Sequence, residues 1–228
     1  MKKAAFIPAR SGSKGLAGKN IKHFGGKPLV VHTITQAIEC NAFDAVFVST
    51  DDREIAAISR EAGACVPGLR SGELSLDETS MWDVVSDAIS GYLKEFDMIA
   101  ILQPTSPLRT PAQIIDALDL ADRDHLVCSV TQCLSHPSYA MRFGDNRVLE
   151  YVLPRDNCSS LRQLLPDYYC FNGAVYVFFR NLFLEHDSFL QMPKIPLIMD
   201  KMTSIDIDDQ FDWICAEAIY KHLKGMTH

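Results

Sequence analysis

An apolar run at residues 4–7 passes without a break into a loop at residues 10–20, where Gly12, Gly15 and Gly18 stand among Arg10, Lys14 and Lys19. Glycines lack a Cβ, so the loop amides can turn inward on a ligand, and concave amide nests of this kind attract anions. With three cations added, the natural guest is a polyphosphate. The bland alternative is a flexible, solvated turn.

Two common nucleotide fingerprints do not fit. A phosphate-binding Gly-x-x-x-x-Gly-Lys-Ser/Thr loop would need glycine where Ser13 stands and a hydroxyl where Asn20 follows Lys19. The spacing of the glycines at 12, 15 and 18 also departs from Gly-x-Gly-x-x-Gly. An ordinary NTPase and a dinucleotide dehydrogenase both lose ground.

The rest of the chain alternates strand and helix. Strands are expected at residues 45–49, 64–66, 97–102, 125–131, 173–179 and 196–199. Between them run helices from Pro28, from Thr50 or Asp51 as cap, over about 80–93, and from Thr110, where Pro111 and Gln113 complete a capping box. A terminal helix shows Phe211, Ile214, Cys215, Ala218 and Ile219 on one face. Repeated units of this kind give an α/β fold with a mostly parallel, doubly wound (Rossmann-like) sheet, and ligands bind beyond the carboxyl ends of its strands. The length of 228 residues suits a single domain, 1–228. The rhythm fails at 135–165, which reads as an inserted arm, either a lid or an oligomer contact.

Bulk properties narrow the partners. No apolar run nears the roughly 20 residues that span a bilayer, and the start of the chain is too short for a secretory signal before it meets Arg10. A cytoplasmic protein without a membrane partner is expected. Seven cysteines occur singly, without a Cys-x-x-Cys pair, so neither a disulfide framework nor a zinc site is implied. A net charge of −7 argues against nucleic acid.

Near the C-terminus, Ser204-Ile205-Asp206-Ile207-Asp208 alternates with period two. In extended backbone Asp206 and Asp208 point to one face, with Cα atoms roughly 6.5–7 Å apart. That is close enough for both to serve one hydrated Mg²⁺ shared with phosphate oxygens. The alternative is that Asp208 or Asp209 only caps the last helix, which leaves Asp206 unexplained.

These pieces, in order, resemble the CMP-nonulosonate (sialic acid-type) cytidylyltransferases. The resemblance rests on Ile7-Pro8-Ala9-Arg10, Ser13-Lys14-Gly15-Leu16, Lys19-Asn20, Val48-Ser49-Thr50-Asp51 and Leu69-Arg70-Ser71-Gly72-Glu73-Leu74. It continues through residues 102–110, Arg162-Gln163 with Pro166, Asn172-Gly173-Ala174-Val175-Tyr176 and residues 204–208. The family joins CTP to an acidic nine-carbon sugar and releases pyrophosphate. By this resemblance, Ala9, Arg10, Ser13, Lys14, Asn20, Arg70 and Ser80 bind the nucleotide. Lys19, Arg10 and Asp208 are catalytic, Lys19 neutralising charge on the α-phosphate or the leaving pyrophosphate. Asp206 and Asp208 carry Mg²⁺. Gln103, Ser106, Arg162, Tyr176 and Phe189 meet the sugar, Arg162 being the candidate for its carboxylate.

Departures fall on the sugar side. Gly15-Leu16 suits the sialic or legionaminic branches better than the pseudaminic one, where arginine often replaces Gly15. Cys170 stands where many relatives carry arginine, and Ser138-Tyr139 where some sialate enzymes carry a lysine. A cytidylyltransferase for Kdo or pseudaminic acid is the nearest rival, and a non-catalytic nucleotide-binding regulator a more distant one. The arm buries little apolar surface by itself, so a two-fold homodimer is expected.

Overall fold

The structure is a computed structural model that describes residues 1–12, 15–153 and 165–225. In chain order its elements are β1 (Lys3–Pro8), β2 (His23–Phe24), β3 (Lys27–Pro28), α1 (Leu29–Glu39), β4 (Ala45–Ser49), α2 (Arg53–Glu61) and α3 (Met81–Ser90). Then follow β5 (Met98–Leu102), α4 (Pro111–Leu120), β6 (Leu126–Gln132), β7 (Met141–Phe143), β8 (Leu149–Tyr151), β9 (Tyr169–Phe179), α5 (Arg180–Leu184), β10 (Lys194–Ile198) and α6 (Gln210–Leu223).

A six-stranded sheet runs β10-β6-β9-β5-β1-β4. β1 pairs in parallel with β4 and β5, and β10 with β6. β9 alone runs antiparallel, against both β5 and β6. A parallel return from β6 would need a crossover. β9 instead comes straight back beside β6 after the arm, so the two strands form the stem of a long excursion. Residues 64–66 make only an isolated bridge, Phe47 with Cys65.

Both faces of the sheet are covered. On one, Ile7, Val48, Ala100 and Val177 meet Val30, Ile34, Ile55 and Ile114 of the helices. On the other, Phe6, Ile99, Ile101 and Phe178 pack with Val85, Ile89, Leu182 and Phe183. A third cluster gathers Phe24, Leu29, Leu108, Ile207, Trp213 and Ala216. It fastens the segment before α6 to the loop after β5, a join completed by the Ile207 N–H donating to the Thr105 carbonyl (2.8 Å).

Two local expectations are corrected. α2 is capped by Asp52, which accepts from the Glu54 and Ile55 N–H groups, not by Thr50 or Asp51. α6 buries Trp213 and Ala216, while Phe211 and Ile214 lie on its exposed side. Trp213 decides the rotation: its ring stands edge-on to Phe24 and carries the Lys22 ammonium over its face. The Thr110–Gln113 capping box forms as expected.

Candidate active site

The carboxyl ends of β1 and β5 open on one cleft of about 540 Å³. Arg10, Lys19, Asn20 and Arg70 line it on the cationic side, and Asp208 and Asp209 close it opposite. Residues almost the whole chain apart therefore meet. The Lys19 ammonium, buried, donates to the Ile207 carbonyl and to Asp208 Oδ1 (3.3 Å). Asp209, not Asp208, caps α6 by a capping box with Asp212. The Asp208 carboxylate is thereby released to the cleft.

The phosphate-loop side is held from below. Asn20 Nδ2 donates to the Arg10 carbonyl (2.8 Å). The Ser11 N–H and hydroxyl both donate to Asp51, at 2.9 and 2.7 Å. Burial would raise that carboxyl, but the Ser11 hydrogen bonds outweigh it and hold Asp51 below its usual value. Arg10 reaches the Leu76 carbonyl (3.2 Å) and Asp77 (2.9 Å), which draws the loop before α3 over the cleft. Gly15 is required by close approach: a Cβ there would overlap the Asp208 carbonyl oxygen.

Asp206 lies just behind the lining. Burial first, then repulsion from Asp208, raises its carboxyl above the usual value, against the pull of the Thr105 hydroxyl and Lys19. Its Oδ1 is buried with no hydrogen-bond partner. A buried carboxylate oxygen left unpaired calls for a cation. Among the described residues no cluster of three or more His, Cys, Asp or Glu could hold a metal ion. Two carboxylates that rely on phosphate and water for the other ligands fit Mg²⁺, which binds in that manner.

A smaller cavity of about 160 Å³ adjoins the cleft, and Met81 and Gln103 line both. Its other walls are mostly apolar, with Phe171, Tyr176, Phe189 and Leu190 prominent and Lys194 at one side. Gly173, at φ +73°, lets Gln103 and Asp206 come together: a Cβ there would stand 3.3 Å from an oxygen of each.

The expected site residues thus divide. Arg10, Lys19, Asn20, Arg70 and Asp208 share the cleft, Gln103 joins it to the second cavity, and Tyr176 and Phe189 line that cavity. Ser13, Lys14 and Arg162 lie outside the described residues. Ala9 is buried in the core with its N–H bonded to the Ser49 carbonyl (2.9 Å). The Ser80 hydroxyl caps α3 in a box with Asp83. Ser106 is wholly buried, and none of these three is among the residues lining the two cavities.

Arg109 is a buried residue behind the site that the sequence did not single out. Fully buried, it donates to the carbonyls of Gln103 (3.3 Å) and Ala174 (2.6 Å), to the Thr33 hydroxyl and to the Gln36 side chain. Burial pulls its guanidinium down to about 9, so it stays charged at neutral pH. It fixes the Gln103 loop without touching either cavity. The available signal was an arginine just ahead of a helix cap, in a loop otherwise built of Pro, Thr and Ser.

A family model described as Cytidylyltransferase matches residues 4–134. The chain is 35% identical to CMP-N,N'-diacetyllegionaminic acid synthase of Legionella pneumophila over 96% of each chain. It is also 35% identical to N-acylneuraminate cytidylyltransferase of Escherichia coli, over 94% of this chain and 51% of that one, so it spans about half the length of that relative. Pseudaminic acid cytidylyltransferase of Campylobacter jejuni is 29% identical over 97% of both. Among solved structures, CMP:2-keto-3-deoxy-manno-octonic acid synthetase complexed with CTP superposes with a TM-score of 0.72 over 98% of this chain and 100% of its own. At 17% identity that likeness shows the fold alone. With a family match over more than half its length and a close relative over nearly all of it, the chain belongs to the cytidylyltransferase family and is a nucleotidyltransferase enzyme.

Proposed function

We propose that the protein transfers the cytidylyl group of CTP to a nonulosonic acid of the sialic or legionaminic type, giving the CMP-sugar and pyrophosphate. The observation that carries this reading is the meeting of Lys19 with Asp208 across a cleft whose rim holds Arg10, Asn20 and Arg70. The anomeric hydroxyl of the sugar attacks the α-phosphorus in line, the bond to the bridging oxygen of pyrophosphate breaks, and the hydroxyl proton passes to solvent water. Such a step is positioning plus charge stabilisation, and no nucleophilic side chain is needed. Arg10 and the loop amides hold the triphosphate. Lys19 leaves Asp208 to neutralise the α-phosphate or the departing pyrophosphate. Asp206 and Asp208 would hold Mg²⁺, which when bound supplies charge stabilisation to the phosphate oxygens.

Gln103 and the second cavity take the sugar. Apolar walls at Phe171, Tyr176, Phe189 and Leu190 suit acyl and methyl substituents and leave the hydroxyls of a bare polyol unpaired. This favours an acylated nine-carbon acid over Kdo. Arg162 is the proposed partner of the sugar carboxylate.

The arm is proposed as a homodimer contact. Its β7–β8 hairpin leaves Phe143, Val148 and Leu149 exposed. No described helix is long and apolar enough to cross a membrane. A cytoplasmic location agrees with the free cysteines.

The test is pyrophosphate release from CTP and Mg²⁺ with a panel of sialic, legionaminic and pseudaminic acids and Kdo. Turnover is expected with one of the first two. Release that is fastest with Kdo, or with no sugar at all, would sink the reading.

A further inference from the structure

At the opposite edge of the sheet, a cavity of about 320 Å³ is lined by Met1, Asp97, Arg123, Phe179, Arg180 and Asn181. It sits where β5 begins and β9 ends, and nothing in the proposed reaction uses it. Arg180 Nε is buried there without a hydrogen-bond partner. Among the described residues, neither the Arg123 nor the Arg180 side chain has a hydrogen bond or ion pair. The one carboxylate on the lining, Asp97, accepts from the Lys2 N–H (2.7 Å) and stands 4.0 Å from the Met1 ammonium. Arg123 is steadied over the Phe179 ring, 5.3 Å from its centroid.

Arg123 lies at the exposed rim of the cavity and Arg180 is half-buried, so two guanidiniums line it beside a single carboxylate. A buried Nε–H without an acceptor is the kind of donor that a bound anion or water completes. Planar guanidinium forks match oxyanions bidentately.

We propose that this cavity is a second anion site that holds a doubly charged oxyanion, a phosphate group, between Arg123 and Arg180. The site lies one β5 length from Gln103, roughly 16 Å at about 3.3 Å per residue. β5 runs from Asp97 to the Gln103 loop, and β9 runs from the arm past Tyr176 to Phe179, so both strands that shape the sugar pocket end at this cavity.

The test is calorimetric titration of the whole protein at fixed ionic strength with inorganic phosphate, pyrophosphate and succinate. Wild type is compared with R123Q, R180Q and the double variant. Either single change should weaken phosphate binding roughly tenfold, as loss of a charge-assisted bond implies. The double variant should abolish this event and leave CTP turnover unchanged. Tighter binding of pyrophosphate than of phosphate, lost in the same variants, would support the site and mark the reaction product as an occupant. Identical titrations in wild type and double variant would overturn the proposal, since the anion would then sit in the CTP cleft. Binding of succinate without phosphate would overturn the assigned ligand. Should the variants fail to fold, wild-type crystals soaked in selenate decide: an anomalous peak between the two guanidiniums is expected, and its absence refutes the site.

Discussion

The large cleft and the small cavity beside it are made of opposite materials. The first is a meeting of charges, with Lys19, Arg10 and Arg70 facing Asp208 and Asp209. The second is walled by aromatic and aliphatic side chains, with Gln103 and Lys194 as its polar members. Lys194 is already engaged by the carbonyls of Leu190 (2.9 Å) and Met192 (2.8 Å). Polar groups at fixed spacing define a reaction, because each buried charge must find a partner. Apolar walls define a shape, and shape discriminates among substrates by only about 1–3 kcal/mol per group. The chemistry should therefore be fragile on one side and graded on the other.

The contrast can be broken most sharply at Lys19. Lys19→Met should lower kcat/KM for CTP by about a thousandfold, on the scale of losing one preorganised charge in a closed site. Steady-state pyrophosphate release measures it, and a loss below tenfold would remove Lys19 from the chemistry. Next in size is Asp206→Asn, with turnover expected to fall roughly a hundredfold or more. The same substitution should stabilise the metal-free fold at pH 7. Because the Asp206 carboxyl is raised, the stability of its protonated form is present at low pH and lost as pH rises through the raised value. Asparagine removes that loss, so the gain in Tm should vanish below about pH 4, the ordinary carboxylate range. Calorimetry at the two pH values checks the sign, and a variant less stable than wild type at pH 7 contradicts it.

A third expectation sharpens the boundary between the two regions. Arg109→Met leaves the Gln103 and Ala174 carbonyls without their buried donor and should lower stability by on the order of 3 kcal/mol in denaturant melts. Smallest is Phe189→Ala, which should raise KM for the sugar by roughly tenfold with CTP parameters little changed. An equal rise in KM for CTP would show that the two regions are not separable.

How much of this was legible in the residues follows the same division. The glycine–cation loop and the alternation of Asp206 and Asp208 could be read because each needs particular side chains at particular spacings. Ile207 does anchor the segment as the period-two pattern implies, with Asp208 lining the cleft and Asp206 behind it. Asp51 misled as a cap because a carboxylate before a helix serves a cap or a tether equally well. Only a three-dimensional neighbour, Ser11, shows that Asp51 tethers the loop while Asp52 caps α2. The rotation of α6 was hidden for a related reason: Phe211 and Ile214 offered as good a stripe as Trp213 and Ala216, until Phe24 supplied the partner surface. Arg109 was the least readable of all. A buried cation whose terminal nitrogens bond carbonyls and side chains from distant segments leaves no periodic trace.

The close approach of Gly15 to the Asp208 carbonyl has a consequence for biosynthesis. β1 ends in a loop whose ceiling is built by a far later segment, and Lys19 must wait for a carbonyl encoded 188 residues later. A nascent chain halted before residue 205 could assemble most of the sheet and still lack the acidic side of the cleft, so competence for catalysis waits on residues 205–209.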